Sequence, residues 1–151
     1  MTDIELCAAA AADAAEIAAL EALLFSDAWS ESSVAATLSS PLTAAFVLRY
    51  AGQAVGYLLA SLLAPEGELL RIGVHPSYRK RGFGAQLMEK FLFKAREHAC
   101  TDLFLEVRAD NTAAIGLYRR FGFEDSGLRR AYYKDPPADA LLMRRSASLS
   151  K

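Results

Sequence analysis

The residues best suited to chemistry in this chain lie in a basic, glycine-rich segment near its middle. Three consecutive cations, Arg79, Lys80 and Arg81, lead directly into Gly82-Phe83-Gly84. Glycine lets the backbone turn tightly and bring its N–H groups close to an anion. A helix that starts here would direct its unpaired amides, and the positive end of its dipole, at the same anion. The segment therefore predicts a phosphate-binding turn.

Two common phosphate-binding motifs do not fit this spacing. A dinucleotide fingerprint requires a third glycine where this chain has Leu87, and a nucleotide P-loop requires Gly-Lys followed by Ser or Thr, which the sequence lacks. The chain does contain Arg-x-x-Gly-x-Gly, formed by Arg79, Gly82 and Gly84. The alternative interpretation is a solvated run of charges before an ordinary helix.

A second candidate is a single carboxylate, Glu106, inside the apolar segment Leu103-Phe104-Leu105-Glu106-Val107. An acid in such a strand is costly to bury unless it is paired. We expect both faces of this strand to be covered, and partial burial to raise the carboxyl pKa of Glu106. The residue would then act as a general base for an attacking amine. The structural alternative is an exposed position, or a salt bridge to a neighbour such as Arg108.

Asn111 and Tyr118 are seven residues apart on one predicted helix. That spacing puts them two turns apart on the same face, so that both would face one cleft. The alternative for Tyr118 is a core aromatic residue. Covalent catalysis is disfavoured, because His75 ends a strand, His98 ends a helix, and neither has an evident Ser or Cys partner.

Length and composition limit the remaining classes. The 151 residues predict one domain over residues 1–145, followed by a flexible tail at 146–151. A net charge of -1 and 53% hydrophobic residues argue against disorder and against direct nucleic-acid binding. Cys7 and Cys100 have no metal-ligand spacing, so no metal is predicted. No signal peptide or membrane span is evident, so we predict a cytoplasmic protein without a membrane role.

Hydrophobic periodicity predicts strands at residues 4–6, 44–50 and 54–63, a further strand ending at Val74, and a final hairpin around residues 135–137. Asp13 and Glu16 form a capping pattern for a first helix, and Ser30 caps a second. A third helix follows the basic turn, with a buried stripe every four residues. That stripe comprises Phe83, Leu87, Phe91 and Ala95.

The two glycine-containing motifs together resemble those of the GNAT acyltransferases. In that family Arg-x-x-Gly-x-Gly binds the pyrophosphate of acetyl-CoA. The stretch from Asn111 to Phe123 matches the other GNAT hallmark, Asn-x-x-Ala-x-x-Leu-Tyr-x-x-x-Gly-Phe. The resemblance implies an α/β (α+β) fold, with a central mixed, mostly antiparallel sheet flanked by about four helices.

Three further segments resemble the RimI subfamily, the ribosomal-protein alanine N-terminal acetyltransferases. They are Leu-Glu-Val-Arg at residues 105–108, Phe-Ser-Asp-Ala-Trp-Ser at 25–30 and Arg-Arg-Ala-Tyr-Tyr at 129–133. The chain departs from the subfamily where Ala28 replaces a proline before Trp29, and where Lys134 replaces a proline after the tyrosine pair. Both departures fall at the acceptor end.

The resemblance implies Glu106 as general base, Tyr118 as general acid and Asn111 as a contact to acetyl-CoA. Trp29, Tyr132 and Tyr133 would line a peptide groove, with core packing as the alternative for each. The backbone of Ile72, Gly73 and Val74 would contact acetyl-CoA. The phosphate cradle would comprise Arg79, Lys80, Arg81, Gly82, Phe83, Gly84 and Ala85.

The implied activity is transfer of acetyl from acetyl-CoA to a protein α-amine, with an alanine-initiated small-subunit ribosomal protein as the acceptor. Two alternatives stay open. One is acetylation of a small amine or a lysine side chain, and the other is a non-catalytic acyl-CoA sensor.

Overall fold

The predicted strands assemble into one seven-stranded sheet in the computed structural model, which describes residues 4–146. The strands are β1 (Ile4–Ala8), β2 (Thr43–Tyr50), β3 (Gln53–Leu63), β4 (Glu66–Val74), β5 (Asp102–Arg108), β6 (Glu124–Lys134) and β7 (Pro137–Ser146). The helices are α1 (Ala14–Leu24), α2 (Glu31–Leu38), α3 (Phe83–Glu97) and α4 (Thr112–Arg120). The predicted fold class is confirmed.

The sheet is antiparallel except at one pair of strands. Its strand order is β1-β2-β3-β4-β5-β7-β6, and only β4 and β5 run parallel among the described strands. A parallel pair requires a crossover connection. Here α3 supplies it, with the basic turn at the start of the crossover.

Helices cover the two faces of the sheet unequally. The predicted stripe of α3 is buried, and α3 and α4 pack together on one face. On the other face α1 and α2 pack through Ile17, Leu20 and Val34 against β2 and β3. This second layer stops near β4, so the same face of β5, β7 and β6 carries no helix among residues 4–146.

The uneven layer corrects one expectation, because β5 is covered on one face only. Leu103, Leu105 and Val107 are buried towards α3. Successive side chains of a strand point to opposite faces. Phe104 is therefore only half-buried, and Glu106 is exposed on the face that α1 and α2 leave bare.

The helix starts are confirmed in one case and corrected in another. The Ser30 hydroxyl accepts the Ser33 N–H at 3.1 Å, as expected of an N-cap. The expected capping pair of Asp13 and Glu16 is wrong. Both carboxylates instead lie against the Arg49 guanidinium of β2, at 2.6 Å and 2.8 Å. The other oxygen of Asp13 accepts the backbone N–H of Ala10 at 2.8 Å, ahead of α1.

The chain end also differs from expectation. Ser146 pairs with Asp102 as the last residue of β7, so the strand extends one residue into the predicted tail. Residues 147–151 of that tail lie outside the described residues. No helix within 4–146 is long and apolar enough to cross a membrane. The same residues hold no cluster of three His, Cys, Asp or Glu side chains suited to a metal ion.

Candidate active site

The two parallel strands separate halfway along their length. They pair from Glu66 with Asp102 to Leu69 with Leu105, and no pairing follows although both strands continue. The β4 residues beyond this point, including Ile72, Gly73 and Val74, pair with β3 alone. Their backbone edge towards β5 is therefore open to another partner. We call this opening the β4–β5 cleft.

A β-bulge lies where the strands part. Arg71 pairs with Leu59 and Leu69 pairs with Ala60, which leaves Leu70 as an extra residue on β4. Bulges bend a strand and end its pairing. Close packing then fixes the glycine at position 73, since a Cβ there would lie 2.6 Å from Leu24 Cδ1 and 2.8 Å from the Tyr57 ring.

The predicted phosphate turn lies at the N-terminus of α3, next to the end of β4. Gly82 is the N-cap residue with φ +80°, and Lys80 has φ +65°. The first amides of a helix have no intrahelical acceptor. In α3 these amides belong to Phe83, Gly84 and Ala85, so backbone donors converge where the sequence predicts them.

The cations of this turn are exposed and anchored to different degrees. Arg79 donates through Nε to the Val74 carbonyl at 3.3 Å, and Arg81 lies 5.0 Å from the centre of the Tyr78 ring. No contact of Lys80 with a residue in 4–146 restrains its ammonium. Positive charge, open amides and a positive-φ glycine fit a pyrophosphate, and the open edge of β4 fits the amide-rich arm that carries a thioester in CoA.

Glu106 follows the last residue of β5 that pairs with β4, beside the β4–β5 cleft. The expectation that it is partly buried is wrong. The side chain is 31% exposed, and its Oε2 lies 3.5 Å from Arg129 Nε of β6. The expected neighbour Arg108 instead contacts Asp110 at 3.3 Å. An open groove of about 320 Å³ adjoins the carboxylate, lined in part by Glu68 and Phe104. Glu106 is therefore accessible to an acceptor from the bare face of the sheet.

Tyr118 lies in the core on the face of the sheet opposite to Glu106. Its ring is 6% exposed in the core beneath α4, as the alternative interpretation expected. Its hydroxyl has no hydrogen-bond partner among the described residues and is not sealed from solvent. Burial raises its pKa, the charge of Arg71 lowers it, and Tyr133 raises it. A role for this hydroxyl at the β4–β5 cleft stays a prediction.

The tyrosine pair of β6 divides between the cleft and the surface. Tyr132 is 46% exposed, whereas Tyr133 is half-buried with its ring 5.2 Å from that of Tyr132. Burial raises the pKa of the Tyr133 hydroxyl, and the charges of Glu106 and Asp27 raise it further. Tyr133 is therefore the more enclosed residue of the pair, and Tyr132 the more exposed one.

Asn111 caps the helix that carries Tyr118. It precedes α4, and its Oδ1 accepts the Ala114 N–H at 3.2 Å. Asn111 is the N-cap of the helix that carries Tyr118, and a shared orientation of the two side chains towards one cleft stays a prediction. A contact between Asn111 and acetyl-CoA stays a prediction.

Sequence reasoning missed a buried cluster on the acceptor side, formed by Glu21, Tyr57 and Arg71. Glu21 is fully buried and accepts Arg71 Nη2 at 2.7 Å, the Tyr57 hydroxyl and the backbone N–H of Trp29 at 3.0 Å. Burial, followed by the charge of Glu21, raises the pKa of Tyr57. The signal available in the sequence was a charged residue among the apolar positions of α1.

Two loops meet above the acceptor side. Ser26, between α1 and α2, donates its hydroxyl to the Asp135 carbonyl in the β6–β7 turn at 2.7 Å. The two residues are 109 positions apart in sequence. Trp29 follows Ser26 in the first of these loops, and Tyr133 lies at the end of β6, next to the second.

This geometry agrees with comparisons to known proteins. The model of the acetyltransferase (GNAT) family matches residues 14–123. The chain belongs to the GNAT family. It is therefore an acetyl-CoA-dependent N-acetyltransferase, as its motifs predict.

Within the GNAT family, the chain is similar to enzymes that acetylate protein N-termini. The chain is 42% identical to the N-alpha-acetyltransferase RimI of Mycobacterium tuberculosis over 142 residues, which cover 90% of this chain and 88% of that protein. It is 35% identical over 100 residues to the [ribosomal protein bS18]-alanine N-acetyltransferase of Escherichia coli K12, covering 65% and 68% of the two chains. The crystal structure of the E. coli ribosomal-protein-S18-alanine N-acetyltransferase superimposes with a TM-score of 0.90 at 28% identity, covering 98% of this chain and 96% of that one.

Proposed function

We propose that this GNAT protein acetylates the α-amine of an alanine-initiated small-subunit ribosomal protein. The observation that supports the proposal is the opening between β4 and β5, with the open helix amides of the basic turn at one end and the accessible carboxylate of Glu106 beside it. The activities of the M. tuberculosis and E. coli relatives support the same acceptor class. Such an acceptor is made in the cytoplasm, so we place the reaction there.

The acceptor side suits an amine that is already partly neutral. An unperturbed α-amine has a pKa near 7.7–8.0 and a lysine side chain about 10.4, so roughly a tenth of the α-amine is neutral near pH 7. A modest base suffices for the remaining proton. Glu106 is accessible from the bare face of the sheet and takes that proton directly or through water.

The opposite side of the cleft would hold acetyl-CoA, which carries the leaving thiol. Acetyl-CoA provides an acetyl thioester, which the neutral amine attacks. The open backbone edge at Ile72, Gly73 and Val74 would hold its arm, and the turn from Arg79 to Ala85 would hold its phosphates. Tyr118 would donate a hydrogen bond from its hydroxyl to the departing sulfur. That hydroxyl has no hydrogen-bond partner among residues 4–146.

The direct test uses two peptides with the purified protein and acetyl-CoA. One peptide begins with a free alanine and lacks lysine, and the other has a blocked N-terminus and an internal lysine. We expect thiol release and a mass increase of one acetyl group with the first peptide only. Modification of the second peptide alone would support the lysine alternative, and acetyl-CoA binding without thiol release from either would support the sensor alternative.

The ribosomal acceptor needs a separate experiment in cells. Mass spectrometry of protein N-termini, with and without the gene, would identify the natural acceptor. We expect an alanine-initiated small-subunit ribosomal protein to lose its acetyl group in the deletion strain. An unchanged set of ribosomal N-termini would refute the proposed acceptor and leave the peptide activity standing.

A further inference from the structure

Arg71 is a cation on the acceptor side that the proposed mechanism does not use. It lies on β4 beside the bulge, one residue before Ile72, and its side chain is 14% exposed. By the alternation of the strand it projects to the same face as Gly73, which packs against α1. A guanidinium therefore lies within the wall of the acceptor site.

The guanidinium is held rigidly by groups on three sides. Glu21 accepts from Nε at 3.0 Å and 3.1 Å and from Nη2 at 2.7 Å. The Phe25 ring lies 4.2 Å and the Trp29 ring 5.5 Å from Arg71 Cζ. Asp27 Oδ1 lies 3.5 Å from Nη2. This arrangement fixes the plane of the guanidinium and the direction of its remaining donors.

Those remaining donors belong to Nη1. Arginine carries five N–H donors, and the contacts above engage Nε and Nη2 alone. Nη1 has no acceptor among residues 4–146. In that part of the chain every side-chain nitrogen that is shielded from solvent has a hydrogen-bond partner. Nη1 therefore retains accessible surface, in a side chain that is 14% exposed.

The charge balance of this cluster excludes an anion as the preferred ligand. The buried carboxylate of Glu21 neutralises Arg71, and Asp27 adds a further negative charge. What remains is a directed hydrogen-bond donor without surplus positive charge. A neutral acceptor such as a carbonyl oxygen suits it best.

We propose that Arg71 Nη1 donates a hydrogen bond to the carbonyl oxygen of the acceptor's first peptide bond. The inference rests on the proposed function and assigns Arg71 as a specificity-determining residue for it. In a peptide N-terminus this carbonyl is attached to the carbon that bears the amine. A lysine ε-amine has no carbonyl at that distance, so the contact favours α-amines over lysine side chains.

The test compares three acceptors that differ only in the first linkage. One has the natural amide, one has an ester that keeps the carbonyl but loses the N–H, and one has an alkene that loses both. Each is assayed with the wild-type protein, with Glu21→Gln, and with the double variant Glu21→Gln/Arg71→Met. The double variant removes both buried charges, so that neither ion is left unpaired, and thermal unfolding checks that each variant is folded.

For the wild type and Glu21→Gln we expect kcat/KM, calculated on the concentration of neutral amine for each peptide, to be about tenfold higher with the ester than with the alkene, mainly through KM. The double variant should show no such preference. Equal kcat/KM for the ester and the alkene on the wild-type protein would overturn the inference without any variant. If the wild type fails to acetylate even the amide peptide, the proposed function itself is refuted.

Discussion

Glu106 of β5 and Arg129 of β6 form an ion pair at the rim of the β4–β5 cleft, with Oε2 and Nε 3.5 Å apart. Arg129 is 55% exposed, and ion pairs of this kind hold weakly in water. The carboxylate is therefore kept near the cleft without being committed to its partner. An arriving amine can replace Arg129 as the group facing Glu106.

Replacing Glu106 by glutamine removes the proposed base and keeps the shape of the side chain. We expect Glu106→Gln to lower kcat by about a hundredfold or more, with the Kd for acetyl-CoA within twofold of the wild type. Steady-state kinetics and calorimetry measure the two quantities. Glu68→Gln is a matched control, because Glu68 lines the same groove, and its kcat should stay near the wild-type value. Equal losses in the two variants would contradict a specific role for Glu106.

Replacing Tyr118 by phenylalanine removes one hydroxyl and leaves the core packed. Since no group among residues 4–146 bonds that hydroxyl, we expect the free energy of unfolding to change by less than about 0.5 kcal/mol. Turnover should fall by at least about tenfold if the hydroxyl assists the leaving sulfur. Undiminished kcat in Tyr118→Phe, measured at saturating acetyl-CoA, would remove Tyr118 from the mechanism.

Charge in the phosphate turn should govern affinity for acetyl-CoA. We expect Lys80→Ala and Arg81→Ala each to raise the Kd several-fold at low salt, and to reduce the dependence of Kd on ionic strength. Lys94→Ala is the control, since Lys94 lies towards the other end of α3, about 16 Å along the helix from Phe83, and pairs with Glu97. Calorimetry at several salt concentrations measures these Kd values. If Lys94→Ala changed the Kd as much as Lys80→Ala and Arg81→Ala, the turn would have no special role.

The Tyr57 hydroxyl should matter more for stability than its size suggests. It donates to the fully buried Glu21, so Tyr57→Phe removes a donor from a carboxylate that water cannot reach. We expect a loss of about 1–3 kcal/mol in the free energy of unfolding, measured by urea denaturation. The control is Tyr50→Phe, a half-buried tyrosine at the end of β2, which should lose far less. Similar losses would show that the bond to Glu21 contributes little.

Glu68 should make stability depend on pH. Burial, and then the charge of Glu106, raise the pKa of Glu68 above its usual value of 4.5. An acid whose pKa is higher in the folded state costs no stability below its unfolded pKa, and costs stability as the pH rises through the folded value. We therefore expect Glu68→Gln to raise Tm at pH 7 and to leave it unchanged near pH 3. A gain of equal size at both pH values would exclude this electrostatic origin.

The parts that sequence analysis predicted well depend on local spacing. The buried stripe of α3, the Ser30 cap and the Gly82 turn each need only a few adjacent residues. Their physical causes, periodicity and unpaired helix amides, operate within one or two turns. For this reason the position of the turn and its open helix amides were predictable, and phosphate binding by the turn stays a prediction.

The acceptor side depends instead on contacts between distant segments. Glu21 lies 36 residues from Tyr57 and 50 from Arg71, and nothing in α1 alone indicates these partners. Glu106 was expected to be buried because its apolar neighbours suggest two covering layers. The layer of α1 and α2 ends near β4, which only the assembled sheet shows.

The bulge at Leu70 and the early end of pairing between β4 and β5 join the two halves of the sheet by a short seam of four residue pairs. The arm of the donor would act as an inserted strand across the unjoined part. Affinity for the donor would then depend on how rigidly the two halves of the sheet are held together. A substitution that loosens the seam would weaken donor binding even though it touches no donor contact.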